Sequence, residues 1–322
     1  MAFSFNFFTS RASQRPHLAC EITPEGVIAG RHVDAERAVT AFVPLPAEVV
    51  RPGIVEANLA DPQRVTQAIR KAVDEVAGRE KPLTVVIPDA AVRVLLMDFE
   101  TLPSKPADAL PIVRFRLKKL APFEVDDAAV SYQVLPKVHG GGKGSGNGQL
   151  RVLVTVMPAA IRAEYEAVVR AAGYTPGAIL PATLAAVAKA PAHGASLILT
   201  RNGHTLTTVI TEGDELLLHR SLELPLGEDF AGDSVDAGSE ELARAVSVSL
   251  AYFEDTLQYK PTVLLYAGPG GAQAFRRAIG PELGEVLVEY GLQIEDLVAG
   301  PQGALTAIPE GVAAGVMGAL AS

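Results

Sequence analysis

A block of strand, strand, strand, helix, strand occurs twice in this chain, and a duplication of that size restricts the fold more than any single motif does. In the first copy Leu18 to Ile22, Val27 to His32 and Val39 to Leu45 read as strands, with Thr23-Pro24-Glu25-Gly26 as the first turn. Asp61 and Pro62 then supply an N-cap and an N1 proline. Val65, Ile69, Val73 and Val76 recur on one helical face, and Gly78 marks the stop. Leu83 to Ile87, an unbroken apolar run before Pro88, closes the block as a strand buried on both faces. In the second copy the strands are Ser196 to Thr200, Thr205 to Thr211 and Glu215 to Leu224. Ser239 is expected to cap a helix whose Leu242, Val246, Leu250, Phe253 and Leu257 share a face, and Thr262 to Tyr266 closes the block. Two long copies mean two related lobes, because a solenoid repeats short units many times.

An insertion separates the copies. Val92 to Phe99 continues from the buried strand as a second strand, and Pro106 and Pro111 restrict where the next helix starts. The expected N-cap is Asp108, which places Pro111 in the first turn; Leu110, Val113, Leu117 and Leu120 then form one apolar stripe, and Pro122 ends the helix. The glycine-rich stretch from Val138 to Gln149 contains Lys143 but fails the G-x-x-x-x-G-K-[ST] spacing, so it reads as a hairpin tip rather than a phosphate loop. A helix is expected from Pro158 to Ala172, stopped by Gly173.

Three short pieces in the insertion carry a family resemblance. Leu102-Pro103 precedes the helix, Ala121-Pro122-Phe123 ends it, and Ser131-Tyr132-Gln133-Val134-Leu135 follows as a strand. In this order and spacing they resemble PilM, the actin-like protein of type IV pilus assembly, in the FtsA/PilM branch of the actin-like ATPase superfamily. The resemblance implies an α/β, actin-like (ribonuclease H-like, duplicated) two-lobed fold with a 1C-type inserted subdomain. It implies a tail over 1–15, subdomain 1A over 16–91 and 175–195, and subdomain 1C over 92–174. The second lobe would span 196–322, with its 2B part reduced to about Leu226 to Gly238 and its final helix packing back on 1A.

Charge and composition exclude other classes. A net charge of −9 argues against a general nucleic-acid surface, which needs clustered Lys and Arg. No apolar run reaches the length of a membrane span, and the start, MAFSFNFFTS, lacks the basic region of a signal peptide. Phe3, Phe5, Phe7 and Phe8 beside Arg11 and Arg15 read either as a tail packed on the body or as a tip touching a membrane or partner. The single cysteine, Cys20, is expected to be a buried, unreactive thiol on a strand, and the six histidines show no paired metal spacing. Gly311, Gly315 and Gly318 give the last helix a small-residue face suited to close approach to a sheet.

The resemblance also implies a place for ATP and Mg, between two hairpin turns whose glycines admit phosphates and whose Asp orients the metal. Here both turns are degenerate. In the first, Glu21 stands for the Asp, Thr23 replaces a Gly, Pro24 removes a donor and Glu25 adds negative charge. The second falls on Thr200-Arg201-Asn202-Gly203-His204-Thr205 and lacks the Asp; Arg201 and His204 are its groups able to contact phosphate. The third element, Ala267-Gly268-Pro269-Gly270-Gly271, resembles the adenosine loop and is also an ordinary tight turn. The cofactor-site candidates are therefore Glu21, Thr23, Gly203, Thr205, Gly268, Gly270 and Gly271. Weak or absent ATP binding, no required cofactor, no metal and no catalytic residue are expected.

By this resemblance the chain acts as a cytoplasmic adaptor, peripheral at the inner membrane. It would bind the cytoplasmic tail of a PilN-like bitopic protein and couple it to the pilus motor ATPase, with a PilO-like protein as a further partner and no nucleic acid. The family's peptide groove lies between 1A and 1C, where this sequence has Pro88, Val92, Arg93, Phe115, Leu117 and Phe123. The alternatives are an actin-like ATPase or small-molecule kinase, which needs intact phosphate turns, and a GspL/FtsA-like membrane-associated scaffold.

Overall fold

The computed structural model describes residues 16–34, 37–135, 149–224, 236–300 and 303–321. The aromatic tail over 1–15, the glycine-rich stretch around Lys143 and the 226–235 part of the reduced 2B segment lie outside the described residues. In chain order the first block gives β1 (Leu18–Ile22), β2 (Gly26–His32), β3 (Ala38–Pro44), α1 (Pro62–Val76) and β4 (Pro82–Ile87). The insertion follows as β5 (Arg93–Phe99), α2 (Pro106–Leu117), β6 (Ala129–Val134) and β7 (Leu150–Met157). Then come α3 (Ala159–Ala171), β8 (Thr175–Pro181) and α4 (Ala182–Ala186). The second block is β9 (Ala195–Asn202), β10 (Thr205–Glu212), β11 (Glu215–Glu223), α5 (Asp236–Tyr252), β12 (Val263–Ala267), α6 (Gly271–Ala278), α7 (Gly280–Tyr290) and β13 (Ile294–Asp296), and α8 (Ala314–Ala321) comes last.

The two lobes have equivalent sheets. One runs β3-β2-β1-β4-β8 and the other β11-β10-β9-β12-β13, each an antiparallel meander joined to two parallel strands. The parallel pairing needs a crossover, which α1 supplies in the first lobe and α5 in the second. α1 begins where the sequence predicts: Pro62 has no N–H to lose at N1, and the Asp61 carboxylate accepts from Arg64 N at 3.0 Å. Its buried face is Val65, Ala68, Ile69, Ala72, Val73 and Val76, which packs with α3 over the first sheet. Cys20 lies on β1 with no exposure, and burial pushes its thiol well above the ordinary range.

Asn58 fixes the loop that joins β3 to α1. Its side chain donates to Gly53 O and Glu56 O and accepts from Gly53 N and the Tyr165 hydroxyl, while the Glu164 carboxylate accepts from Asn58 N. A fully buried amide with all its groups paired makes the loop part of the first-lobe core, because any other side chain there would leave several of these partners unsatisfied.

The inserted sheet runs β5-β7-β6 and is covered by α2. This helix departs from the sequence expectation. It starts at Pro106 after Lys105, and Asp108 sits in its first turn without capping it. Pro111 lies inside the helix, on the exposed side, where water can take the carbonyl that its missing N–H leaves unpaired. Regular helix ends at Leu117 and a turn runs to Leu120, so Pro122 does not end it. The buried face is Ala109, Val113 and Leu117; Leu120 points outward at 56% exposure with Ile112 and Phe115. In the second lobe, α5 begins at Asp236, so Ser239 falls within the helix rather than at its cap.

After β13 the chain returns to the first lobe. Thr40 N donates to Gly303 O and Leu305 N to Thr40 O, which adds a short parallel bridge to β3, and α8 then covers the first sheet opposite α1. The approach is close because Gly318 lies flat on the Ala185 carbonyl, with no space for a Cβ.

Candidate functional site: the cleft between the lobes

The β1-β2 and β9-β10 hairpins point at each other across the cleft, and their tips touch. A Cβ on Gly203, whose φ is +58°, would stand 3.0 Å from the Pro24 ring. The first tip uses its own donors. Thr23 N donates to Gly26 O at 2.9 Å, Gly26 N returns to Thr23 O at 3.3 Å and to Thr23 Oγ1 at 3.2 Å, and Pro24 has no N–H. In the second tip Arg201 Nε donates to Gly203 O at 3.1 Å, Thr205 is buried in the strand ladder, and His204 is exposed.

Glu21 stands at the base of the first hairpin, 3% exposed, and its Oε2 accepts from Val316 N at 2.7 Å. The carboxylate thus fills the N-terminal end of α8, where unpaired amides and the helix dipole would otherwise hold an anion. Gly315 makes this possible, since a Cβ there would lie 2.7 Å from the Glu21 carboxyl carbon. Burial raises the Glu21 pKa to about 8; the Val316 bond opposes this, and the nearby Asp89 and Glu25 charges add to it.

The adenosine-like loop is filled in the same way. Gly270 N donates to Glu310 O at 3.0 Å, Gly271 N to Gly268 O at 3.0 Å, and Ala272 N to the Asp296 carboxylate at 2.7 Å. Gly311 is pressed onto the Gly268 carbonyl, and Gly268 itself is packed between Tyr266 and Arg201. Burial lowers the Arg201 pKa, while the Tyr266 and Glu25 charges oppose the shift.

Asp89, which sequence reasoning does not single out, ties the lobes together. It follows β4 and is 3% exposed. Its carboxylate accepts from Thr183 N at 3.1 Å, from the Thr183 hydroxyl, and from Thr207 Oγ1 of the second lobe at 3.4 Å. The Thr183 and Thr200 hydroxyls bond across the same seam. Burial raises the Asp89 pKa to about 6, against the pull of these bonds.

The cavity left among Glu21, Thr23, Asp89, Thr200 and Gly315 is about 30 Å³, room for one or two waters. Sites for molecules the size of a nucleotide run from roughly 300 Å³ upward. The residues at this place do not fit Mg-ATP: the Thr23 and Gly26 amides of the first tip and the Gly270, Gly271 and Ala272 amides of the third loop are paired within the chain, and the chain's own carboxylates occupy two helix N-termini. Of the seven sequence candidates, Glu21 and Thr23 line the cavity; Gly203, Thr205, Gly268, Gly270 and Gly271 belong to the structures that close it.

The candidates for a partner groove fall into two groups. Pro88, Val92 and Leu117 are buried, Val92 in the first-lobe core and Leu117 on the face of α2 that packs on the inserted sheet. Arg93 and Phe123 are half-buried, while Phe115 is 66% exposed with Lys119 Nζ 5.9 Å from its ring centre.

No family model matches the chain, and no curated protein matches it in sequence. Solved structures do. A chain of the PilM-PilN type IV pilus biogenesis complex superposes with a TM-score of 0.70 at 18% identity, covering 94% of this chain and 97% of that one. A protein of Bacteroides thetaiotaomicron with an actin-like ATPase fold matches with a TM-score of 0.55 at 8% identity, over 95% of each chain. The chain has the actin-like fold. The cytoplasmic domain of EpsL, an inner membrane component of the type II secretion system of Vibrio cholerae, gives 0.47 at 11% identity over 94% and 92% of the two chains. In this actin-like frame the closed place described above lies where the two lobes' hairpins meet. Among the described residues no helix is long and apolar enough to cross a membrane.

Proposed function

We propose that this chain is a PilM-like assembly adaptor of a type IV pilus or related secretion machine, peripheral at the inner membrane, which binds the cytoplasmic tail of a PilN-like protein and works without nucleotide. The observation that carries the reading is the whole-length likeness to a chain of the PilM-PilN complex, inserted sheet included. The closed cleft supports its second half: an ATPase or kinase needs volume and open anion sites between the lobes, and about 30 Å³ with two helix N-termini filled by the chain's own carboxylates favours a pseudo-ATPase. Coupling to the motor ATPase and contact with a PilO-like protein belong to the same proposal.

An extended peptide docks where backbone partners and apolar pockets are both on offer, and the inserted module presents Phe115 outward and leaves Arg93 and Phe123 half-buried. In a pull-down with the N-terminal cytoplasmic peptide of a PilN-like protein, wild-type protein should be retained and Phe115→Glu should lose most of the binding. Phe115 is 66% exposed, so the variant is expected to fold. Undiminished capture of this variant would rule out Phe115 as part of the groove.

A further inference from the structure

We propose that a groove at the foot of the first lobe, away from both the cleft and the inserted sheet, binds a phosphate group carried beside a hydroxyl or amine. The groove has a volume of about 800 Å³, within the range of sites for small molecules. Its walls come from the start of β1 (His17), the end of β2 (Arg31 and His32), the loop before β4 (Glu80) and the turn after α4 (Lys189). The proposal does not depend on the adaptor reading.

Several polar groups here are unspent. Lys189 is exposed on the wall of the groove and has no ion-pair or hydrogen-bond partner among the described residues. Arg31 commits its Nε to Val76 O, and its two terminal nitrogens have no partner among the described residues. His32 gives Nε2 to Leu320 O, while its Nδ1 is buried and unpaired. Glu80 Oε2 is likewise buried with no donor. The other acid of the groove, Asp34, is paired with Arg37 and does not cancel the cations.

Groups withdrawn from water without partners cost free energy, and a ligand that satisfies them recovers it. Lys189 and Arg31 require an anion with several acceptor oxygens. Glu80 Oε2 requires a donor on the same molecule, because a bare phosphate would only be repelled by it. The shared chemistry is that of a phosphate ester with a neighbouring hydroxyl or amine, free in solution or as a lipid headgroup.

The test uses the full chain in two arms: calorimetric titration with glycerol 3-phosphate and with inorganic phosphate, and co-sedimentation with phosphatidylcholine vesicles with and without phosphatidylglycerol. Saturable binding is expected in at least one arm, with the responsive arm naming the source. Lys189→Gln, at an exposed and unpartnered position, should fold and weaken binding about tenfold, the loss of one charge-assisted hydrogen bond. Glu80→Gln should weaken glycerol 3-phosphate relative to inorganic phosphate. Absence of binding in both arms, or equal binding by Lys189→Gln, would overturn the site; a Glu80→Gln variant that tightens both soluble ligands alike would overturn the neighbouring donor.

Discussion

Glu21→Gln is expected to abolish most of the loss of stability that the wild-type protein shows between pH 6 and pH 8. Burial raises the Glu21 pKa from 4.5 to about 8 in the folded state, so folding takes up a proton there. A raised carboxyl contributes its full stability below the unfolded pKa and loses it as pH rises through the folded one. Asp89, raised from 3.8 to about 6, acts the same way at lower pH, so the window from 6 to 8 belongs mainly to Glu21. Across it the wild type should lose about 2 kcal/mol relative to the variant. Gln keeps an oxygen for Val316 N and removes the charge. Thermal melts at pH 6 and pH 8 decide the point, and parallel shifts in the two proteins would refute the buried-carboxylate account.

Gly318→Val should cost about 3 kcal/mol or more, because the added side chain meets the Ala185 backbone, which cannot rotate away as a side chain can. That corresponds to a fall in Tm of about 4 °C or more for a protein of this size. Gly284, inside α7 with open space on the side where a Cβ would stand, is the control: Gly284→Ala should leave stability unchanged or raise it by about 0.5–1 kcal/mol. If both variants melt alike, α8 is not held against α4 as described.

What is legible in the sequence is what local chemistry decides. The strand blocks, the Asp61-Pro62 start of α1 and the turn at Thr23 to Gly26 each depend on neighbours within a few residues. The degenerate phosphate turns are readable for the same reason: Pro24 has no N–H in any fold. Asp89 is not legible, because its carboxylate acquires meaning only from Thr183 and Thr207, 94 and 118 residues away. A buried-strand terminus followed by Pro88 and an acid is the available signal. Nor does periodicity reveal that Glu21 and Asp296 fill helix N-termini. The buried face of α2 departs from the expected stripe because that helix is apolar on two sides, so spacing alone does not distinguish Ala109, Val113 and Leu117 from the outward Ile112, Phe115 and Leu120.

The proposal that this chain works without nucleotide rests on the closed cleft: both hairpin tips are in contact, and the anion-binding ends of α6 and α8 already hold Asp296 and Glu21. Calorimetric titration of the full chain with Mg-ATP tests this most directly. The account predicts no saturable heat up to millimolar nucleotide, and saturable micromolar binding would contradict it.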